Sequence, residues 1–382
     1  MKGFKNVIAY VENKGVIKCD VAVENGRIKE IGNNLGITEP FPYADGEIVL
    51  PGFIDEHIHG ANGSDAMDGN INALSVIADA VTAEGTTTFL ATTMTQSREN
   101  IKNALGAVKA YKEQNPAHGA RIAGVHLEGP FISEKHIGAQ PLKYMSDPNV
   151  PLFDEYYEAS GKTIRIVTLA PEEPGADELI KNLVKKGIRP SAGHTDAGYN
   201  DVMNAKSLGL DAITHTYNAQ RGLHHREIGV VGAALLDDGL YAEAICDLIH
   251  LSLPAIKLLV KNKPKDKLIL ITDSMRAKYL PDGESELGGQ KVIVKNGEAR
   301  LENGALAGSI LKMNDAIKNL VLYADVPFTN AVDYATANPA KHLGIFNDTG
   351  SIAVGKRADF CTLTEEFGVT LTVRDGNVVY KK

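Results

Sequence analysis

Eight short apolar segments recur along the middle of the chain, and this repetition constrains the fold more than any other feature. Helical stretches, such as 72–83 and 178–186, lie between most of these segments. Alternating strands and helices predict a parallel sheet, and eight such units predict an α/β fold of the closed (β/α)8 (TIM) barrel type. The eight predicted strands are 47–54, 86–91, 122–127, 164–169, 188–192, 212–216, 241–245 and 268–272.

Both chain ends carry a different pattern, which is typical of β-hairpins. Asn25-Gly26 and Asp375-Gly376 are turn dipeptides between strand-like segments. We therefore expect one small β-sandwich domain built from both ends, residues 1–50 and 346–382, around a barrel domain at 51–345. The strand-like segments are 7–10, 16–23, 27–31, 358–364 and 369–379, and two further helices are predicted at 309–323 and 329–337.

Composition excludes several classes of partner. Of the 382 residues, 43% are hydrophobic, and 40 basic residues face 48 acidic ones without a strongly basic block. Nucleic acid and anionic membranes are therefore not expected partners. No segment has the length of an apolar membrane span, and the first ten residues lack the apolar core of a signal peptide. The three cysteines are odd in number and widely spaced, so a cytoplasmic protein without a disulfide framework is expected.

The first predicted barrel strand leads into His57 and His59. Side chains two apart on a strand point to the same face, so these two imidazoles form half of a potential metal site. A pair of ordinary surface or core histidines is the alternative for this segment alone.

Four other predicted strands end in residues that bind metals or carry protons. Each one alone has a simpler explanation: Asp273 could cap a helix, and His215 could be a core histidine. Their agreement favours a site at the carboxyl ends of the strands, where barrel enzymes carry out catalysis. Histidine and carboxylate ligands suit Zn²⁺ or Fe²⁺, and a carboxylate beside a metal-activated water predicts hydrolysis of an amide or a related bond. The four residues are Glu128, His194, His215 and Asp273.

Two further segments are candidates for substrate binding. The loop 217–226 contains two arginines and two histidines, which suits an anionic group such as phosphate, although a solvated basic loop is the alternative. The glycine-rich segment 304–309 could bring backbone N–H groups to a substrate or could be a plain turn. His250, shortly after the seventh strand, is either a ligand contact or a residue at a helix start.

Longer motifs carry a resemblance to a known family. The segments PGFIDEHIHG (51–60), ATANPAKHLG (335–344) and GSIAVGKRADF (350–360) resemble the amidohydrolase superfamily. Six others resemble, more specifically, its N-acetylglucosamine-6-phosphate deacetylase family. These are HLEGPFIS (126–133), SAGHTDA (191–197), THTYNA (214–219), HHREIGVVGAAL (224–235), ITDSM (271–275) and LAGS (306–309).

The resemblance implies removal of acetate from N-acetyl-D-glucosamine 6-phosphate in amino-sugar catabolism and cell-wall sugar recycling. It implies one or two divalent ions per chain, Zn or Fe, with Asp273 as general base and acid. It also implies a homodimer, in which the cluster 224–226 could act across the interface. The implied principal metal ligands are Glu128, His194 and His215, with His57 and His59 for a second ion; the implied substrate contacts are Ala139, Gln140, Asn218, Ala219, Arg226, His250, Leu306, Ala307 and Gly308.

Two positions depart from the family pattern. Gln140 stands where many relatives have a histidine that polarises the acetamide carbonyl, and His136 nearby is the alternative donor. Gln220 replaces a common methionine. Cyclic-amide hydrolases and deaminases are the alternative enzymes, but many of these use a lysine at a strand end, where this chain has Glu128 and Ala170-Pro171. A non-catalytic scaffold is the third alternative, and it predicts eroded ligands, whereas all of these positions are filled.

Overall fold

The structure, a computed structural model, describes residues 1–382, and its first strands belong to a small sheet. Asn25 and Gly26 both have positive φ, 52° and 74°, which produces the tight hairpin that the dipeptide predicts. The predicted β-strands of the amino-terminal end are therefore confirmed. They are β1 (Lys2–Val11), β2 (Gly15–Glu24), β3 (Arg27–Gly32), β4 (Glu39–Pro40) and β5 (Ile48–Pro51).

Eight parallel strands then form the barrel, as the repeat predicts. A short ribbon of β7 (Gly60–Ala61) and β8 (Ser64–Asp65) follows the first of them. The barrel strands stand side by side in chain order. They are β6 (Phe53–Ile58), β9 (Thr86–Thr93), β10 (Arg121–Glu128), β11 (Ile164–Leu169), β12 (Arg189–Ala192), β13 (Ala212–Ile213), β14 (Tyr241–Ala244) and β15 (Leu268–Leu270).

Hydrogen bonds between the first and last barrel strands join the barrel at its carboxyl end. The Asp273 amide donates to the His57 carbonyl over 2.8 Å, and the His59 amide donates to the Ser274 carbonyl over 2.9 Å. The seam thus lies within the predicted metal site, and it fixes the backbone of residues from both sides.

Helices surround the barrel because each carries a buried apolar stripe. In the second helix, Ile101, Leu105 and Val108 recur at helical spacing and are fully buried against the strands. No helix has both the length and the apolar character needed to cross a membrane. The α-helices are α1 (Ile71–Ala80), α2 (Arg98–Gln114), α3 (Val150–Ala159), α4 (Ala176–Lys185), α5 (Tyr199–Ser207), α6 (Gly229–Leu236), α7 (Leu253–Asn262), α8 (Met313–Tyr323), α9 (Phe328–Tyr334) and α10 (Ala337–His342).

The first predicted strand, 47–54, is wrong as a single element. Its first half is β5 of the small sheet, and its second half begins β6 of the barrel. Gly52 lies between them, and a Cβ atom there would come within 2.3 Å of the Thr87 side chain. Only glycine allows this close passage of the chain from one sheet to the other.

Two helix predictions also need correction. The helix predicted at 309–323 begins only at Met313, because Ser309 is bound to the barrel seam through its backbone. The helix predicted at 329–337 ends at Tyr334, and α10 starts after Thr336, whose φ and ψ of −137° and −78° interrupt the helical backbone.

A three-stranded antiparallel sheet after the eighth barrel strand was not predicted. Its strands are β16 (Gly283–Leu287), β17 (Gln290–Lys295) and β18 (Glu298–Leu301). The dipeptides Gly288-Gly289 and Asn296-Gly297 occupy its two turns, so the turn signal was present in the sequence. This insertion contributes Leu287 to the mouth of the barrel.

The carboxyl-terminal strands complete the small sheet. They are β19 (Phe360–Leu363), β20 (Val369–Arg374) and β21 (Asn377–Lys381), and β19 pairs with β5. Phe4 packs against Phe41 and Phe360, with ring centroids 5.1 and 5.4 Å apart. The predicted small β-domain from both chain ends is thus confirmed, and its strands join in one eight-stranded sheet.

Candidate active site

All six predicted metal and base residues gather at the carboxyl end of the barrel. His57 lies in β6, and Glu128 is the last residue of β10. Four more residues follow their strands by one to three positions: His59, His194, His215 and Asp273. All six side chains are buried. Because parallel strands end at the same face, residues that are far apart in the chain form one cluster.

Glu128, His194 and His215 form the tightest group. Glu128 Oε1 lies 3.1 Å from each Nε2 atom, and the two Nε2 atoms lie 3.1 Å apart. His194 Nδ1 faces the His136 carbonyl at 3.1 Å and must donate to it, so Nε2 carries a lone pair. Lone pairs that converge in a buried site require a cation between them, so these residues fit a divalent metal ion.

His57 and His59 form a second group with the same glutamate. Their Nε2 atoms lie 3.4 and 3.3 Å from the two oxygens of Glu128. His59 Nδ1 donates to the Thr92 carbonyl over 3.2 Å, which again leaves Nε2 with its lone pair. Glu128 therefore lies between two overlapping sets of three ligands.

The backbone at three of these residues is strained. His194, His215 and Asp273 have φ angles of +48°, +29° and +47°, in the region that non-glycine residues avoid. Such strain persists only where surrounding contacts impose it, and it is concentrated at functional sites. Here it turns each side chain from its strand end into the barrel mouth.

Asp273 is placed and charged as a proton acceptor. Its Oδ1 lies 3.5 Å from His57 Nε2 and 3.2 Å from His59 Nε2. Burial raises the pKa of Asp273, but the imidazoles of His57 and His59, when protonated, outweigh burial and lower this pKa to about 2. A bound divalent cation would lower this pKa in the same way, because it is also positively charged. In either case the Asp273 carboxylate is ionised at neutral pH.

A cavity of about 210 Å³ opens above the ligands. Met94 and Leu287, which were not predicted, add apolar surface to its wall. Ala307 is fully buried and does not line the cavity, and Arg226 does not line it either. The predicted substrate contacts that do line it are Ala139, Gln140, Asn218, Ala219, His250, Leu306 and Gly308.

Gln140 contacts the candidate metal ligand Glu128. Its Nε2 donates to Glu128 Oε2 over 2.8 Å, and its side-chain oxygen accepts from the Thr95 amide over 2.8 Å. The second contact fixes the orientation of the amide, so the N–H group must face Glu128. His136, the alternative donor, is instead directed to Asp196, at 3.2 Å.

The arginines and histidines of the basic loop lie outside the cavity. Arg226 is exposed, and its guanidinium contacts His225 at 2.7 Å, while Leu223 beside them is 54% exposed. Arg221 forms an ion pair with Asp196 at 2.7 Å. Gln220 is buried and donates to the Thr214 carbonyl over 3.0 Å, so it supports the loop rather than the cavity.

Two acidic residues near the site were missed. Asp247 Oδ2 lies 2.6 Å from His250 Nδ1 and fixes the orientation of that ring. Glu243 lies 3.1 Å from His57 Nδ1 and is fully buried. A single acidic residue within the apolar strand 241–245 is the sequence signal that could have identified Glu243, because an inward-facing charge in a barrel strand requires a partner.

Comparisons with known proteins find relatives that match nearly the whole chain. A model of the amidohydrolase family matches residues 48–379. The N-acetylglucosamine-6-phosphate deacetylase of Bacillus subtilis (strain 168) is 42% identical over 98% of this chain and 96% of that protein. An N-acetylgalactosamine-6-phosphate deacetylase of Escherichia coli O157:H7 is 36% identical over 85% of this chain and 87% of that protein. The crystal structure of N-acetylglucosamine-6-phosphate deacetylase from Thermotoga maritima superposes with a TM-score of 0.90 at 36% identity, covering both chains completely.

Proposed function

Because the chain belongs to the amidohydrolase family, we propose that it hydrolyses the acetamide of N-acetyl-D-glucosamine 6-phosphate, releasing acetate and D-glucosamine 6-phosphate. The observation that carries this proposal is the convergence of Glu128, His194, His215 and Asp273 on the floor of a sugar-sized cavity. Its relatives of known name include deacetylases of two phosphorylated amino sugars. The reaction belongs to amino-sugar catabolism and cell-wall sugar recycling.

Glu128, His194 and His215 would hold the principal divalent ion, Zn²⁺ or Fe²⁺, and His57 and His59 with Glu128 would hold a second. The mixed nitrogen and oxygen ligands support this choice of metals. When bound, such an ion lowers the pKa of a water molecule and polarises a carbonyl oxygen.

Asp273 moves the proton. Its ionised carboxylate accepts a proton from the attacking water as the water oxygen bonds to the acetyl carbon. It then gives this proton to the departing nitrogen as the carbon–nitrogen bond breaks, so that acetate and a free amine leave. Its Oδ1 lies 3.5 Å from His57 Nε2 and 3.2 Å from His59 Nε2, beside the ligand set that these two histidines form with Glu128.

The cavity walls orient the sugar. Asp247 accepts from His250 Nδ1, which leaves His250 Nε2 as an acceptor for a sugar hydroxyl. Asn218 and Ala219 lie on the loop after β13, and Leu306 and Gly308 close the cavity from the segment after β18. Polar atoms thus face the hydroxyl groups while Met94 and Leu287 exclude water.

The phosphate group requires a cation that the cavity of one chain does not supply. Arg226 is exposed beside the apolar side chain of Leu223, a combination typical of a subunit interface. We propose a homodimer in which Arg226 of the partner subunit reaches the substrate phosphate. Ala139 and Ala307 support the cavity through packing and through the Ala139 carbonyl, which accepts from Gln290 over 2.6 Å.

One assay separates this function from its alternatives. The purified, metal-loaded protein is incubated with N-acetylglucosamine 6-phosphate, its galactosamine epimer, unphosphorylated N-acetylglucosamine and a cyclic amide, and the released amine and metal content are measured. We expect the highest kcat/KM with N-acetylglucosamine 6-phosphate and activity that depends on bound metal. Hydrolysis of the cyclic amide without release of glucosamine 6-phosphate would contradict the proposal and favour the cyclic-amide hydrolases.

A further inference from the structure

Glu243 lies directly beneath the metal ligands and has no part in the reaction described above. It is the third residue of β14, its side chain points into the barrel, and it is fully buried. Together with His57 and His126 it forms a third cluster of metal-binding residue types.

This third cluster is not a separate metal site, because His126 has no free lone pair. His126 Nδ1 faces the Glu56 carbonyl at 3.0 Å and must donate to it. Its Nε2 then accepts from the Thr168 hydroxyl over 2.7 Å. With both ring nitrogens engaged, His126 cannot bind an ion, and Glu243 must have another role.

Glu243 determines which nitrogen of His57 carries the proton. Its Oε2 lies 3.1 Å from His57 Nδ1, and since a carboxylate only accepts, Nδ1 is the donor. His57 Nε2 therefore faces Glu128 and Asp273 with its lone pair, and it has no other hydrogen-bond partner. A carboxylate behind a histidine ligand also strengthens the histidine as a ligand.

Glu243 Oε2 also contacts the backbone of His215, which belongs to the other ligand set. Glu243 Oε2 accepts from the His215 amide over 3.1 Å, and the Glu243 carbonyl accepts from the Thr216 amide over 2.9 Å. His215 has the strained φ of +29°, so these contacts impose the backbone that directs its imidazole to Glu128. One buried residue thus connects His57 with His215.

We propose that Glu243 is a positioning residue for the metal centre, which orients His57 and strengthens it as a ligand while fixing the backbone of His215. The inference rests on the proposed metal centre and not on the identity of the substrate. A purely structural role would not require a charge, because a glutamine oxygen could accept the same two hydrogen bonds, and Glu243 Oε1 has no partner to lose.

The test uses Co²⁺ as the probe and compares Glu243→Gln with the wild-type protein. We measure Co²⁺ per chain during competition with a chelator, the visible spectrum of bound Co²⁺, and the unfolding temperature with and without metal. We expect the apparent affinity for the ion beside His57 to fall by about 10- to 100-fold, the typical effect of losing such a partner of a histidine ligand. The spectrum should change, whereas the unfolding temperature of the metal-free protein should stay close to that of wild type.

Glu84→Gln is the matched control, because Glu84 is an equally buried carboxylate that pairs with Lys278 instead of a metal ligand. It should destabilise the fold and leave Co²⁺ affinity unchanged. If Glu243→Gln does not fold, Glu243→Asp replaces it, since aspartate keeps the charge but does not reach His57, and the same loss of affinity is expected.

A variant that holds Co²⁺ as tightly as wild type, or a control that loses affinity equally, would overturn the role of Glu243. In a His57→Gln background, Glu243→Gln should cause little further loss of Co²⁺, and a full additional loss would also overturn it. A wild-type protein that binds no divalent ion would overturn the proposed function as well, so the two failures are distinguishable.

Discussion

Gln140 donates from Nε2 to Glu128 Oε2 over 2.8 Å, so the residue that departs from the family pattern contacts a candidate metal ligand directly. The Thr95 amide holds the other end of the same side chain at 2.8 Å. We therefore expect Gln140 to act chiefly by orienting Glu128, rather than by polarising the substrate carbonyl.

Replacing Gln140 by leucine tests this relationship. Without the donor, Glu128 loses one of the contacts that orient it, so the apparent metal affinity should fall by about 10- to 100-fold. The loss of kcat should be equal for N-acetyl and N-trifluoroacetyl substrates, because a residue that only orients Glu128 affects both alike. Loss of a polarising group would instead affect the activated trifluoroacetyl carbonyl less. Chelator competition and steady-state kinetics measure the two effects.

The control for Gln140→Leu is Gln290→Leu. Gln290 donates to the Ala139 carbonyl over 2.6 Å, so this change loosens the same segment without touching Glu128. Metal affinity should be retained in the control. If Gln140→Leu keeps its metal and loses activity only with the N-acetyl substrate, Gln140 polarises the carbonyl instead.

Asp273→Asn should abolish most turnover without removing the metal. Asparagine has nearly the same shape but cannot accept the proton from water, and loss of a positioned general base typically lowers kcat by about 100- to 10,000-fold. The measurement is kcat for N-acetylglucosamine 6-phosphate alongside metal content per chain. Near-normal turnover with full metal content would exclude Asp273 as the base.

Arg226→Ala should weaken binding of the phosphorylated substrate and leave the chemical step intact. A charge-assisted hydrogen bond contributes about 1.5–3 kcal/mol, so KM should rise by about tenfold or more. Because this interaction is equal in ground and transition states, kcat should change little. Kinetics with the unphosphorylated sugar provide the control, since its KM should not respond.

Mixed dimers test whether Arg226 acts across the interface. A dimer of one Asp273→Asn chain and one Arg226→Ala chain has one site with an intact Asp273 and an intact Arg226 from its neighbour. Activity at low substrate concentration should therefore recover when the two variants are combined. No recovery would place Arg226 in the site of its own chain.

The buried pair of Lys278 and Glu84 should stabilise the fold in a pH-dependent way. Lys278 Nζ lies 2.6 Å from Glu84 Oε1, and both side chains are completely buried. Removing one partner leaves a buried uncompensated charge, so Lys278→Met should lower the free energy of unfolding by about 3–5 kcal/mol at neutral pH. Urea unfolding at several pH values measures the loss.

The loss should shrink in acid. Burial raises the pKa of Glu84, which the Lys278 ammonium opposes, and removing Lys278 raises this pKa further. In the Lys278→Met variant the folded state therefore binds the Glu84 proton more tightly than the unfolded state does. The stability that this protonation contributes is fully present below the unfolded carboxyl pKa of about 4.3, and it is lost as pH rises through the folded pKa. The double variant Glu84→Gln/Lys278→Met should lack this dependence, and an equal loss by the single variant at pH 5 and pH 8 would contradict it.

The sequence by itself determined the barrel and the positions of its metal-type residues. Alternating apolar strands and helices require a parallel sheet, and the carboxyl ends of its strands meet at one face. His57, Glu128, His194 and His215 were therefore predictable as neighbours without knowledge of any individual contact. These residues come together because of the order and direction of the barrel strands, and the alternating pattern of strands and helices in the sequence reveals both.

Only the tertiary structure decided what surrounds these residues. Gln140 and Thr95 lie 45 positions apart, and Glu243 and His57 lie 186 apart, so no local pattern shows that they are partners. Arg226 lies in a suggestive basic loop, yet the fold directs it away from the cavity of its own chain. Hydrogen-bond orientation and burial depend on the packing of distant segments, and for that reason the contacts of Gln140, Glu243 and Arg226, on which their proposed roles rest, are visible only in three dimensions.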